Sequence, residues 1–181
     1  VGTKVSIVSP RPQTTRHRIL GVSTGDDAQI VFIDTPGLHI GQKKAINRVM
    51  NRSAISALSD AEVVLWLVEA GRFTAEDRTV ASRLESVKVP VIAVINKIDQ
   101  LADKRQLLPF MEKMNSQRDL KAAIPISALK GTGTDVLRDE IVPLLPESPA
   151  MFPDEMLTDS GDSFRIAEID REKLTLRMRQ E

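Results

Sequence analysis

Val89-Pro90-Val91-Ile92-Ala93-Val94-Ile95-Asn96-Lys97-Ile98-Asp99 decides how this chain is read. The apolar run from Val89 to Ile95 has the composition of a strand buried on both faces of a parallel sheet. It ends in Asn96-Lys97-Ile98-Asp99, where a polar cluster would sit at the C-terminal end of that strand. A carboxylate three residues past the Asn can accept from two adjacent donors on a purine edge, the ring N–H and exocyclic amine of guanine. Adenine offers a different pattern on that edge. A hydrogen bond to a charged acceptor contributes about 1.5–3 kcal/mol net, enough for Asp99 to select guanine. The four residues alone also fit an ordinary Asn-Lys turn with an Asp helix cap.

Two neighbours in sequence repeat the arrangement. Gln29-Ile30-Val31-Phe32-Ile33 is apolar and runs into Asp34-Thr35-Pro36-Gly37. Ala123-Ile124-Pro125-Ile126 runs into Ser127-Ala128-Leu129. Three strands that each deliver polar residues at the C-terminal end match the ligand edge of a doubly wound α/β sheet.

The remaining pattern alternates. Ile19 to Thr24 reads as a strand that pairs with 29–33 through a turn at Asp26-Asp27. A helix is predicted from about Lys43 to Leu58, with Ile46, Val49, Met50, Ile55 and Leu58 facing the core. Glu62 to Val68 reads as a strand. Thr74 reads as the cap of a helix whose first turn carries Glu76 and Asp77. Further elements are a helix near 104–115, a strand at 122–126 and a helix from about Thr134 to Leu145, closed by Pro143, Pro146 and Pro149. The predicted organisation is an incomplete nucleotide-binding domain over 1–145, a linker over 146–162, and the first helix of a second α+β domain over 163–181.

Composition narrows the function classes. The chain has 181 residues, with 25 Lys+Arg balancing 25 Asp+Glu, so bulk charge does not advertise a nucleic-acid partner. It has no Cys and two His, which excludes disulfides and thiolate metal sites and disfavours a protein-only zinc site. No apolar run is long enough to cross a bilayer as a helix.

One feature of a phosphate-binding α/β sheet is missing. No Gly-x-x-x-x-Gly-Lys-Ser/Thr occurs anywhere in the sequence. That loop's backbone N–H groups and Lys normally hold the phosphates. The sequence therefore predicts a sheet without its first central strand, which would lie between the strands at 29–33 and 62–68. A strand, loop and helix of roughly forty residues would supply it. A polypeptide of these 181 residues alone is expected to be poorly stable.

Pro12-Gln13-Thr14-Thr15-Arg16-His17-Arg18, Asp34-Thr35-Pro36-Gly37-Leu38-His39, Asn96-Lys97-Ile98-Asp99 and Ser127-Ala128 together strongly resemble the Era family of bacterial GTPases. Arg171-Glu172-Lys173-Leu174 resembles that family's junction into an RNA-binding KH domain. The resemblance implies a Ras-like P-loop GTPase fold and a GTP-hydrolysing switch acting in small-subunit ribosome assembly. It implies Mg²⁺ with GTP or GDP, with Thr15 (Thr14 as the alternative) and Asp34 on the metal side. It further implies that Gly37 contacts the γ-phosphate, that Asn96 and Lys97 contact the base, that Asp99 reads guanine, and that Ser127 and Ala128 complete the base pocket, Ala128 through its N–H. Leu38 stands where Ras-type proteins carry a catalytic Gln, so the residue that positions water is not identified; His39 is a weaker candidate. The implied partners are small-subunit ribosomal RNA and the 30S subunit, mainly through the KH domain. The implied setting is a cytoplasmic monomer with a peripheral relation to the inner membrane. Arg11, Arg16, His17 and Arg18 form a basic cluster suited either to phosphate contact or to a solvated face.

The competing expectation is a scaffold that has lost nucleotide binding. A third is a neighbouring GTPase of tRNA modification or large-subunit assembly.

Overall fold

A computed structural model describes residues 5–6, 19–35, 58 and 60–177. The expected helix at 43–58 therefore lies outside the described residues except at Leu58. The chain divides into two compact bodies, one comprising Val1–Ala57 and Ser148–Glu181, the other Leu58–Glu147.

The second body is an α/β unit. Strands β3 (Val64–Glu69), β4 (Val91–Asn96) and β5 (Ala122–Pro125) form a parallel sheet in the order β3-β4-β5. Parallel neighbours require crossover connections. Helix α1 (Ala75–Leu84) joins β3 to β4, and α2 (Leu107–Asn115) joins β4 to β5. Helix α3 (Thr134–Ile141) follows β5. Every residue from Val91 to Ile95 is buried, as the unbroken apolar run requires of a middle strand covered on both faces. Val64, Trp66, Val68, Ala81, Leu84, Phe110 and Met114 pack with β4 into the core.

Local chemistry fixes where the helices begin and end. Thr74 caps α1 in a full capping box. Its hydroxyl accepts from the Asp77 N–H, and the Asp77 carboxylate accepts from the Thr74 N–H at 2.6 Å. Helix α3 stops at Ile141, short of the expected Leu145. Pro143 lacks the N–H that would continue the ladder, and residues Val142–Leu144 tighten into a 3₁₀ turn.

The first body contains the antiparallel hairpin of β1 (Ile19–Thr24) and β2 (Gln29–Asp34), in register from Ile19↔Asp34 to Thr24↔Gln29. The Gly25 N–H donates to Ala28 O at 2.9 Å and closes the turn around Asp26-Asp27. Residues 148–157, expected as linker, are tied to this hairpin. The Val22 N–H donates to Leu157 O at 2.9 Å. The Gln29 amide oxygen accepts from the Met151 and Phe152 N–H groups, both at 2.9 Å. Its Nε2 donates to Phe152 O at the same distance.

Helix α4 (Asp162–Arg177) completes this body. Phe164 is half-buried, whereas Ala167 and Leu174 are exposed. The covered stripe is polar instead: Glu172 is buried, and Glu168 and Arg171 pair at 2.5 Å.

Candidate functional site

The polar residues at the C-terminal ends of β4 and β5 form one cluster. Register brings them there. Ile95 lies opposite Pro125, and the Ile126 N–H donates to Ile95 O at 2.8 Å. The chain then leaves β4 through Asn96 into a 3₁₀ turn at Ile98–Gln100, and leaves β5 through Ser127 into a turn at Ala128–Gly131.

Asn96 holds both exits. Its Oδ1 accepts from the Lys97 N–H at 2.7 Å and from the Ala128 N–H at 3.0 Å. Lys97 has φ of 65°, the sole non-glycine residue in the left-handed region among the described residues. Such a conformation costs on the order of 1 kcal/mol and persists where surrounding bonds determine it. Those bonds are the Asn96 acceptor and the Gln100 N–H to Lys97 O at 2.9 Å; the Lys97 ammonium separately meets Glu69 Oε2 at 2.6 Å.

Asp99 meets Ser127, whose hydroxyl donates to Asp99 Oδ1 at 2.6 Å. Ser127 is buried and its backbone is fixed by an N–H donated to Thr132 O at 2.9 Å. Its Oγ also accepts from the Lys130 N–H at 3.2 Å. The Ser127 hydroxyl, the Asp99 backbone N–H and the Lys130 charge hold the Asp99 carboxyl below its ordinary value of 3.8, against a smaller desolvation effect. Asp99 is thus an ionised acceptor at neutral pH.

Gly133 underlies this arrangement. It has φ of +74°, and a Cβ there would stand 2.6 Å from Pro125 O. Only glycine lets the α3 start approach β5 so closely. The sequence reading did not single out Gly133, Glu69 or the Ser127–Asp99 bond. The Gly131-Thr132-Gly133 spacing just after Ser127-Ala128 was the available signal for the first.

A shallow hollow lined by Leu67, Val68, Glu69, Asn96 and Lys97 opens beside the cluster. Five of the eight expected site residues, Asn96, Lys97, Asp99, Ser127 and Ala128, therefore converge on one sheet edge. Their chemistry there is an anionic acceptor fixed by a hydroxyl, an amide that braces two loops, and a cation on a fixed backbone. Asp34 belongs to the other body, at the end of β2, where the Ser6 hydroxyl donates to its Oδ2 at 3.2 Å. Thr15 and Gly37 lie outside the described residues, as do Thr14, Leu38, His39 and the basic cluster Arg11, Arg16, His17 and Arg18. Among the described residues no group of three or more His, Cys, Asp or Glu could hold a metal.

Comparison with known proteins identifies the family. Residues 1–97 match the family model described as 50S ribosome-binding GTPase. GTPase Era of Stenotrophomonas maltophilia (strain R551-3) is 46% identical over 181 residues, covering 100% of this chain and 61% of that protein. A crystal structure of Era in complex with MgGDPNP and nucleotides 1506–1542 of 16S ribosomal RNA superposes with a TM-score of 0.91. It is 38% identical, covering 96% of this chain and 59% of the other. An Aquifex aeolicus Era variant bound to GDP and AlF4⁻ gives a TM-score of 0.90 at 38% identity, with the same coverage. The chain spans about 60% of the length of the relatives it matches. The chain belongs to the family of 50S ribosome-binding GTPases and, as a homologue of Era, has the P-loop GTPase fold.

Proposed function

We propose that this chain carries the guanine-recognising edge of a GTP-hydrolysing switch that acts in ribosome assembly. The observation that carries the reading is the ionised Asp99, fixed by Ser127 beside the Asn96 brace. Two adjacent donors on guanine suit a carboxylate; adenine lacks that donor pair, so the bonds from the base to Asp99 would not form.

In this reading Asp99 accepts from the base, Asn96 keeps the two loops at a fixed separation, and Lys97 lies along the base face. Ser127 orients Asp99. The Ala128 N–H, which the resemblance would direct at the base, donates to Asn96 Oδ1 and so braces the pocket. Mg²⁺ would be held by oxygen ligands. Asp34, a strand-terminal carboxylate, and the Thr15 hydroxyl are of the right chemical type for that hard cation. When bound, Mg²⁺ offsets phosphate charge. Gly37 would give its N–H to the γ-phosphate. Hydrolysis is in-line attack of water on that phosphate.

The similarity to a protein crystallised with 16S ribosomal RNA supports a small-subunit RNA partner. We extend the proposal to a KH-type domain beginning with α4, a cytoplasmic location with peripheral membrane contact, and a monomeric state. The resemblance of Arg171-Glu172-Lys173-Leu174 to the KH junction supports the first of these, and family likeness alone the others.

The test is titration of the full-length gene product with fluorescent GDP, with and without Mg²⁺, in competition with ATP. Saturable binding displaced by GTP but not by ATP is the expected result. Equal displacement by ATP would overturn the guanine assignment.

A further inference from the structure

Glu69 ends β3 directly opposite Asn96 in the parallel register. The Ala70 N–H donates to Asn96 O at 2.8 Å, so the exit of β3 is fastened to the exit of β4. From that position Glu69 Oε2 meets the Lys97 ammonium at 2.6 Å. Both side chains line the same shallow hollow. They are partly exposed, 48% for Lys97 and 37% for Glu69, so the pair stands at the solvent mouth of the hollow and not in the core.

We infer that Glu69 is a positioning residue for nucleotide binding, holding the Lys97 ammonium at the β3 exit, beside the candidate guanine site. Two independent restraints act on Lys97. The backbone is set by the Asn96 acceptor and the left-handed φ. The side-chain end is set by Glu69. A free lysine would sample many rotamers, and a ligand would have to order it on binding. A lysine already held needs less ordering, which is preorganisation. The Lys97 hydrogen bond and charge, with the charge of Arg72, hold the Glu69 carboxyl below its usual range, so it stays ionised at neutral pH.

The inference rests on the guanine-site reading above, and its test separates the two. Fluorescent GDP affinity and dissociation rate are measured on the full-length gene product carrying Glu69→Gln, Lys97→Met, both together, or Asp99→Asn. Glu69→Gln keeps shape and removes the charge. It should weaken GDP binding about two- to fivefold, the scale of an exposed ion pair, chiefly through faster dissociation. In the Lys97→Met background it should have no further effect, because its action runs through the ammonium. Glu69→Asp should recover part of the loss, and melting of each variant should stay close to wild type. Unchanged or tighter GDP binding by Glu69→Gln, or a loss of the same size on top of Lys97→Met, would overturn the inference. If Asp99→Asn weakens binding while Glu69→Gln does not, this inference fails and the guanine reading stands. If Asp99→Asn also binds like wild type, the guanine reading fails, and this inference with it.

Discussion

Ser127 and Asp99 are 28 residues apart in sequence, and the buried Ser127 hydroxyl donates to the Asp99 carboxylate at 2.6 Å. The bond links the exits of two adjacent parallel strands and fixes one carboxylate oxygen.

Removing that hydroxyl should shift the acid limb of nucleotide binding. The Asp99 pKa is depressed in the folded protein, with the Ser127 bond as the first cause. The ionised form, and any stability it brings, is therefore present above the ordinary carboxylate value of 3.8 and is lost as pH falls through the lower folded value. Ser127→Ala returns the folded value toward the ordinary one. GDP affinity in this variant should begin to fall at a higher pH than in wild type, measured by titration at a series of acidic pH values. Coincident acid limbs would show that the hydroxyl does not tune Asp99.

Gly133 should tolerate no side chain. Gly133→Ala puts a Cβ 2.6 Å from Pro125 O at a φ of +74°. Backbone on both sides must move, with an expected loss of about 1–3 kcal/mol. The shift falls on the β5 exit, so denaturant unfolding should show lower stability and GDP binding should weaken with it. Gly131→Ala has open space at its Cβ but a similar φ of +70°, and so should cost less.

Gln29 should be the fastening between the β1–β2 hairpin and residues 148–157. Its amide replaces a strand neighbour by meeting Met151 N–H, Phe152 N–H and Phe152 O. Gln29→Ala removes all three bonds. Because the site is part-exposed, water compensates in part, and about 1–2 kcal/mol should be lost. Hydrogen exchange at the Met151 and Phe152 amides should accelerate while amides of β4 keep their protection.

Much of this fold is legible in the chain because strong local signals agree with tertiary packing. The apolar run at 91–95, rich in β-branched residues, reads as a covered strand and is one, and Thr74 with Asp77 announces a helix start. The cluster of Asn96, Lys97, Asp99, Ser127 and Ala128 was legible for the same reason: each polar group ends an apolar run. What was not legible depends on register and on side-chain reach. Glu69 looks like an ordinary strand-end acid until parallel pairing sets it opposite Asn96. Gln29 looks like a strand residue until a segment 122 residues later takes its amide. Helix α4 shows the limit of apolar pattern: its covered stripe is carried by Glu168, Arg171 and Glu172, while Ile166, Ile169 and Leu174 face solvent.

Guanine recognition by Asp99 is tested by exchanging it for Asn and titrating the full-length gene product with fluorescent GDP and fluorescent xanthosine diphosphate. Guanine presents two donors to a carboxylate, whereas xanthine replaces the amine with an acceptor oxygen that an amide N–H can meet. Asp99→Asn should lose at least about tenfold in GDP affinity, as expected for a charged acceptor removed, and gain affinity for the xanthine nucleotide. Unchanged GDP affinity in Asp99→Asn would show that Asp99 does not read guanine.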